Sequence, residues 1–279
     1  MENTESIKVK ESSSSNKNKS KYVLEFITEK IFMISAFVAV ISLLLIIGFV
    51  FYKGLMPFAT EGYSFIDFIF GTEWLPSSKE FGIGAMIVTS MVATVGALII
   101  GVPIGILAAI FIAEICPKKY ARVISTAVEL LAGIPSVLYG IFGLAVIVPA
   151  IQTVLSLPKG QSLLAVIIVL AIMMLPTIIS LSETSIRAVP KAYKEGSLAL
   201  GASKIETIFK VTVPAAKSGI LAGVILGIGR ALGETMAVIL VAGNSTAMPT
   251  SLLDSARPLT TNIALEMGYA AGTHQEMLF

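Results

Sequence analysis

Arg230 and Glu234 stand four residues apart inside an otherwise apolar stretch, 219–242. A charged side chain at the centre of a bilayer costs about 2.5–3.5 kcal/mol on insertion scales, so two in one run need a reason. Gly219, Gly223 and Gly227 repeat at spacing four, and Ala231 continues the row. Small residues spaced this way let helix backbones approach closely in lipid. At roughly 100° per residue, Arg230 and Glu234 lie within about 60° of that row on one helix. They are therefore expected to face packed protein or a cavity. Two roles fit them: an ion pair that fixes helix packing, or a direct part in passing or gating an anion. Thr235 follows at once with a hydroxyl.

Two other apolar stretches carry hydroxyls beside a proline. One holds Gly133-Ile134-Pro135-Ser136-Val137-Leu138-Tyr139-Gly140, the other Met174-Leu175-Pro176-Thr177. Each proline frees a backbone carbonyl, which then needs a partner or water. These spans are expected to break there. Ser136, Tyr139 and Thr177 serve either as local partners at a kink or as anion ligands.

A polar loop at 182–218 separates two of the apolar stretches. It carries Lys191, Lys194, Glu195, Lys204, Glu206 and Lys210. Residues 191–200 suit a helix, Gly201 can end it, and 203–209 suit a second one. Ser203 with Glu206 three residues on is the sequence of a capping box. Val211 and Val213 lead to Pro214, a suitable first-turn residue for the next span. A helix-glycine-helix hairpin of this kind is a docking element for a partner.

These elements need a membrane to hold them. Apolar residues make up 55% of the chain and charged ones 14%, against about 25% charged in soluble domains. A net charge of +2 is too small to argue for nucleic acid. The single cysteine, Cys116, forms no internal disulfide. One histidine, His274, and no Cys/His cluster argue against a metal site. No phosphate-cradling G-x-x-x-x-G-K-[ST] occurs, so no ATP hydrolysis is expected in this chain. Residues 1–30 form a separate basic tail, rich in Ser, Asn and Lys, that reads as disordered and solvated. A retained first helix fits the run after it better than a signal peptide does.

Five apolar segments reach the roughly 20 residues a span requires: 31–52, 84–113, 130–151, 163–181 and 219–242. Basic residues alternate rich and poor along the connections. This places 1–30, 114–129 and 182–218 in the cytoplasm and 53–83, 152–162 and 243–279 outside. The fold class expected is an all-α polytopic transmembrane bundle. An odd number of spans leaves the C-terminus outside, and a sixth span is expected beyond Phe279, with a five-span form as the alternative.

The loop resembles the EAA loop of ABC-importer permeases: Glu195, Gly196, Ser197, then Gly201, then Val211 and Val213-Pro214 keep its spacing, with Gly196 and Ser197 in place of the alanines. Gly229-Arg230-Ala231-Leu232-Gly233-Glu234-Thr235-Met236 is similar to a segment of phosphate-importer permeases. So are Ala132-Gly133-Ile134-Pro135-Ser136-Val137, Phe70-Gly71-Thr72-Glu73-Trp74 and Pro258-Leu259-Thr260-Thr261-Asn262-Ile263-Ala264. Over residues 31–279 the chain resembles the PstC permease family more than its PstA sister. The resemblance implies a type I importer permease that pairs with a PstA-like sister permease, a PstB-like ATPase dimer and a PstS-like external phosphate-binding protein. It also implies a gated path for inorganic phosphate, no cofactor and no covalent chemistry. Arg230, Glu234, Thr235, Ser136, Tyr139 and Thr177 would line or gate that path. Glu195, Gly196, Ser197, Gly201, Val211 and Pro214 would couple it to the ATPase. A permease for sulfate or molybdate is the near alternative. A channel or carrier working without ATP lacks any use for the loop.

Overall fold

The computed structural model describes the backbone of residues 2–279 and the side chains of Tyr22 and of residues 24–279. It divides into two compact units, Met1–Glu61 together with Phe279, and Gly62–Leu278. The solvated tail expected at 1–30 lies, but for its last residues, outside the described side chains.

The first unit is built on one helix, α1 (Glu2–Thr60). Its stretch Leu24–Thr60 spans 37 residues, and its most apolar window has 0% of its residues buried within the chain. Phe32, Leu45 and Phe51 are each about two-thirds exposed. A helix apolar on all sides takes its cover from lipid or from other helices. The span expected at 31–52 lies within it.

The second unit opens with α2 (Phe65–Phe70) and a short antiparallel hairpin, β1 (Trp74–Leu75) with β2 (Glu80–Phe81). Then come α3 (Gly84–Ile110), running into a π-helical turn at Phe111–Ile115, and α4 (Lys118–Ala132). Next are α5 (Ser136–Phe142), a π-turn at Gly143–Ile147, α6 (Val148–Val154) and α7 (Leu163–Arg187). The polar loop forms α8 (Lys191–Ala199), α9 (Lys204–Thr207), a π-turn at Ile208–Thr212 and α10 (Val213–Ala215). The chain ends with α11 (Lys217–Gly233), α12 (Met236–Val241), α13 (Leu259–Glu266) and α14 (Thr273–Glu276). Among the described residues, four helical stretches are long and apolar enough to cross a membrane. A fifth joins them if Lys204–Ala215 and Lys217–Gly233, bent by 69°, count as one.

α7 is the centre of this unit, with 67% of its apolar window buried. Glycines on both neighbours let them close on it. A Cβ at Gly105 of α3 would come within 2.8 Å of Ile178 Cγ2, and one at Gly227 of α11 within 3.2 Å of Ile178 Cγ1. Gly223 faces Leu181, and Gly219 faces Ser185, in the same way. The glycine row of α11 is thus a packing row, as its spacing predicts. The first turn of α7 is held from outside the helix. Leu163 N and Leu164 N donate to the carbonyls of Asp254 and Leu252 at 2.9 and 2.7 Å.

Three expectations need correction. The third span does not cover 130–151: Leu130, Leu131 and Ala132 end α4, and a new helical stretch runs Ser136–Val154. Gly133 caps α4, and Pro135 turns the residue before it away from helical geometry. The fourth span is unbroken, since α7 passes through Pro176. Packing by α3 and α11 on both sides of Met174 and Ile178 holds the helix together there. The fifth stretch, 219–242, is two helices. α11 stops at Gly233, Glu234 is extended at φ −71° and ψ 132°, and α12 starts at Met236. Pro214 sits in the first turn of α10, and the bend falls between it and α11.

Candidate functional site

The break between α11 and α12 separates Arg230 from Glu234. Arg230 sits in the last turn of α11 and is half-buried. Among the described residues it makes no ion pair and donates no hydrogen bond. Glu234 uses its carboxylate locally: Oε1 accepts from Ala237 N at 3.0 Å and so caps the start of α12. Its carbonyl accepts from Thr260 Oγ1 at 2.9 Å. The i, i+4 pair expected on one helix is therefore absent here, because the helix ends before Glu234 and an unpaired amide of α12 competes for the carboxylate.

Tyr139, in α5, is buried, and its ring ends in a hydroxyl. That hydroxyl donates to Leu131 O at 2.8 Å, which ties α5 back to the end of α4. α5 also packs tightly on α12, with a Cβ at Gly140 falling 2.7 Å from Ala237 Cα. Thr235 Oγ1 donates to Gly233 O at 3.3 Å. Ser136 and Thr177 are half-buried, and no hydrogen bond joins either to Arg230, Glu234 or Thr235. The structure thus gathers Arg230, Tyr139, Glu234 and Thr235 at one junction and leaves Thr177 on α7 without a polar link to it. Glu234 borders a crevice with Ser90, Thr94 and Thr260 of only about 10 Å³, about the room of one water.

The polar loop folds as its sequence predicts. Ser203 and Glu206 form the reciprocal cap of α9. The carboxyl of Glu206 accepts from Ser203 N at 3.0 Å. Gly201 turns the chain at φ +87°, a conformation that suits glycine. Ser197 Oγ and Thr207 Oγ1, 3.0 Å apart, hold α8 against α9. Glu195, Gly196 and Pro214 are exposed, and Val211 is half-buried.

Two polar networks escaped the reading of the sequence. Glu183, buried near the end of α7, accepts from Arg187 Nε at 2.8 Å and from Ser125 Oγ of α4 at 2.9 Å. A carboxylate at the end of an apolar run with an arginine four residues on was the available signal. The second network had none, since Glu266 lies eight and nine residues from His274 and Arg257, at no helical repeat, and Trp74 is remote. Glu266, 5% exposed, accepts from Trp74 Nε1 at 2.7 Å and Arg257 Nη1 at 2.7 Å, with His274 Nε2 at 2.8 Å. Arg257 also reaches Asn262 Oδ1 and Asn244 O. This network joins the segments around 70–74 and 258–264.

Comparison with known proteins fits this architecture. Residues 101–273 match the family described as "Binding-protein-dependent transport system inner membrane component". The chain is 45% identical over 219 residues to the probable ABC transporter permease protein YqgH of Bacillus subtilis, covering 78% of this chain and 71% of that one. It is 37% identical over 269 residues to the phosphate transport system permease protein PstC of Mesorhizobium japonicum, covering 88% and 81%. In fold it is similar to a chain of the MetNI methionine ABC transporter in an inward-facing conformation, with TM-score 0.50, 21% identity and coverage of 71% and 84%. This chain is a multi-pass membrane protein and belongs to the family of binding-protein-dependent transport system inner membrane components.

Proposed function

We propose that this chain is a permease subunit of an ATP-driven importer of inorganic phosphate. The observation that carries the reading is Arg230: a half-buried guanidinium at the end of α11 with no carboxylate partner among the described residues. An anion entering a low-dielectric passage needs compensating charge and donors, and a guanidinium offers both in a fork that fits phosphate. Glu234, engaged with Ala237 N, leaves that fork open to the anion. Relatives named as phosphate permeases support phosphate as the anion.

The polar loop supplies the connection to ATP. Tyr193, Leu198, Leu200, Ile205 and Phe209 are large apolar residues exposed on it, Leu200 at 91%. Large apolar residues left exposed together on one short loop suit a partner's cover. We assign it to an ATPase dimer in the cytoplasm, with Glu195, Gly196, Ser197, Gly201, Val211 and Pro214 forming the docking hairpin. The N-terminus and this loop then share the cytoplasmic side, following the basic residues. A sister permease completes the pathway, and an external phosphate-binding protein delivers the anion. ATP binding closes the ATPase pair, the hairpin moves, and access to Arg230 changes side. Arg230, Glu234, Thr235, Tyr139, Ser136 and Thr177 are the residues proposed along the path.

Uptake by the reconstituted complex tests the assignment. Phosphate should enter proteoliposomes only with ATP, and excess sulfate or molybdate should not compete. Equal transport of sulfate or molybdate would replace phosphate with the wider oxyanion class, and uptake without ATP would remove the importer reading.

A further inference from the structure

The helices of the polar loop touch the spans through few polar contacts. No residue of α8 is buried. Among the described residues, one ion pair links α8 to a long apolar helix: Lys194 Nζ binds Glu114 Oε1. Both partners are largely withdrawn from solvent, with side chains 24% and 12% exposed. Glu114 lies in the π-helical turn that ends α3. A π-turn loosens the backbone hydrogen-bond ladder and recurs at functional positions. Here the same turn offers Ile112 O, which accepts from Arg187 Nη2 of α7 at 3.0 Å.

From Arg187 the contacts continue without a gap. Its Nε donates to Glu183 Oε1 at 2.8 Å, and Glu183 accepts from Ser125 Oγ of α4 at 2.9 Å. α4 is a rigid helix from Lys118 to Ala132, and near its far end Leu131 O accepts the Tyr139 hydroxyl at 2.8 Å. Tyr139 in turn adjoins Gly140, which packs on Ala237, the residue whose amide Glu234 caps at the break after α11. One chain of ion pairs, hydrogen bonds and a single helix thus runs from the polar loop to the candidate anion site.

We propose that Glu114 and Lys194 form the strut through which displacement of α8 enters the spans, and that Arg187, Glu183 and Ser125 pass it through α4 to Tyr139. Glu114 is then a positioning residue for transport: it touches no substrate and acts on Arg230 through the others. The inference rests on the reading of the chain as an ATP-driven permease. What singles out this route is that a pull on Lys194 reaches α3, α7 and α4 through groups that each have a buried or half-buried partner.

The test is a charge exchange in the complete reconstituted complex, in a Cys116→Ser background with Leu138→Cys beside Tyr139. ATP hydrolysis, phosphate uptake and the rate of thiol labelling at position 138, with and without ATP, are read on the same preparation. Glu114→Gln and Lys194→Gln should keep assembly and ATP hydrolysis, lower phosphate carried per ATP by about tenfold, and abolish the effect of ATP on labelling. The exchange Glu114→Lys with Lys194→Glu should recover both readouts to within about threefold of the parent. A ratio unchanged in the single variants would overturn the strut. So would loss of uptake only in proportion to lost complex, or failure of the assembled exchange variant to recover. Labelling distinguishes this from the reading beneath it. If ATP alters labelling in the parent and not in Glu114→Gln while no phosphate is carried, the strut stands and the substrate assignment falls.

Discussion

Arg230 has no carboxylate partner among the described residues, and that sharpens what its removal should do. Were it paired, Arg230→Ala would leave a buried carboxylate uncompensated, at a cost of about 3–5 kcal/mol. Glu234 instead binds the amide of Ala237. Arg230→Ala and Arg230→Lys are therefore expected to assemble normally, by co-purification with the partner subunits. Both should lose most uptake, on the order of tenfold or more, because a lysine lacks the paired fork. Normal uptake by Arg230→Lys would reduce the role to simple charge. Asp254 makes a different residue-level case. Its carboxylate accepts from Ser251 N, Thr250 N and Thr250 Oγ1, and these bonds hold its pKa below the ordinary aspartate range. A depressed folded-state pKa stabilises fully above the unfolded value, about 3.9, and the benefit disappears as pH falls through the depressed value. The turn it holds supplies the carbonyls that bond the first turn of α7. Asp254→Asn should therefore melt lower than the parent at pH 6, and the two should converge as pH falls below the depressed value. A gap that stays constant across that range would take the carboxylate out of the account.

At the scale of elements, the hairpin of α8 and α9 depends on Gly201. Its φ of +87° is strained for any side chain, although a Cβ there would meet no atom within 4 Å. The strain of such a position is about 1–3 kcal/mol, borne by an exposed loop away from the packed spans. Gly201→Asp is thus expected to insert and accumulate like the parent. Phosphate uptake per ATP hydrolysed should fall several-fold, since under the proposed docking the hairpin angle would set how α8 and α9 meet the ATPase. Uptake per ATP equal to the parent would leave Gly201 as a turn residue only. The break at Gly233 is the second element-level point. It frees the amides of α12, and Glu234 caps one of them, so the carboxylate shapes the helix start.

For the molecule as a whole, Glu266 fastens β1 to the C-terminal helices of the second unit. Trp74, Arg257 and His274 all converge on it. Glu266→Ala would strand Arg257, whose side chain is 17% exposed. A loss of about 3 kcal/mol is expected, seen as a lower midpoint in thermal unfolding of the purified protein. An unchanged midpoint would mean that water takes over the contacts of Arg257. The proposed topology is checked separately, by single cysteines at Ser78 and Ser203. An impermeant reagent applied to intact cells should label position 78 and spare position 203, and labelling of both would overturn the assigned sides.

Local pattern was enough to read several of these features. The capping box of Ser203 and Glu206, the turn at Gly201 and the glycine row of α11 each depend on residues within a few positions of one another, where helix geometry alone decides neighbours. Hydropathy located the long apolar helices for the same reason. Tertiary structure decided the rest. Whether a proline breaks a span depended on what packs beside it: α7 runs through Pro176 between two glycine rows, while the chain at Gly133 and Pro135 starts afresh. Whether Glu234 pairs with Arg230 depended on where α11 stops, because spacing of four brings side chains together only along a continuous helix. The contacts of Trp74 with Glu266 and of Lys194 with Glu114 join residues distant along the chain, and Arg257 and His274 reach Glu266 across nine and eight residues that follow no helical repeat. No sequence period encodes such contacts; they exist only once the helices have packed.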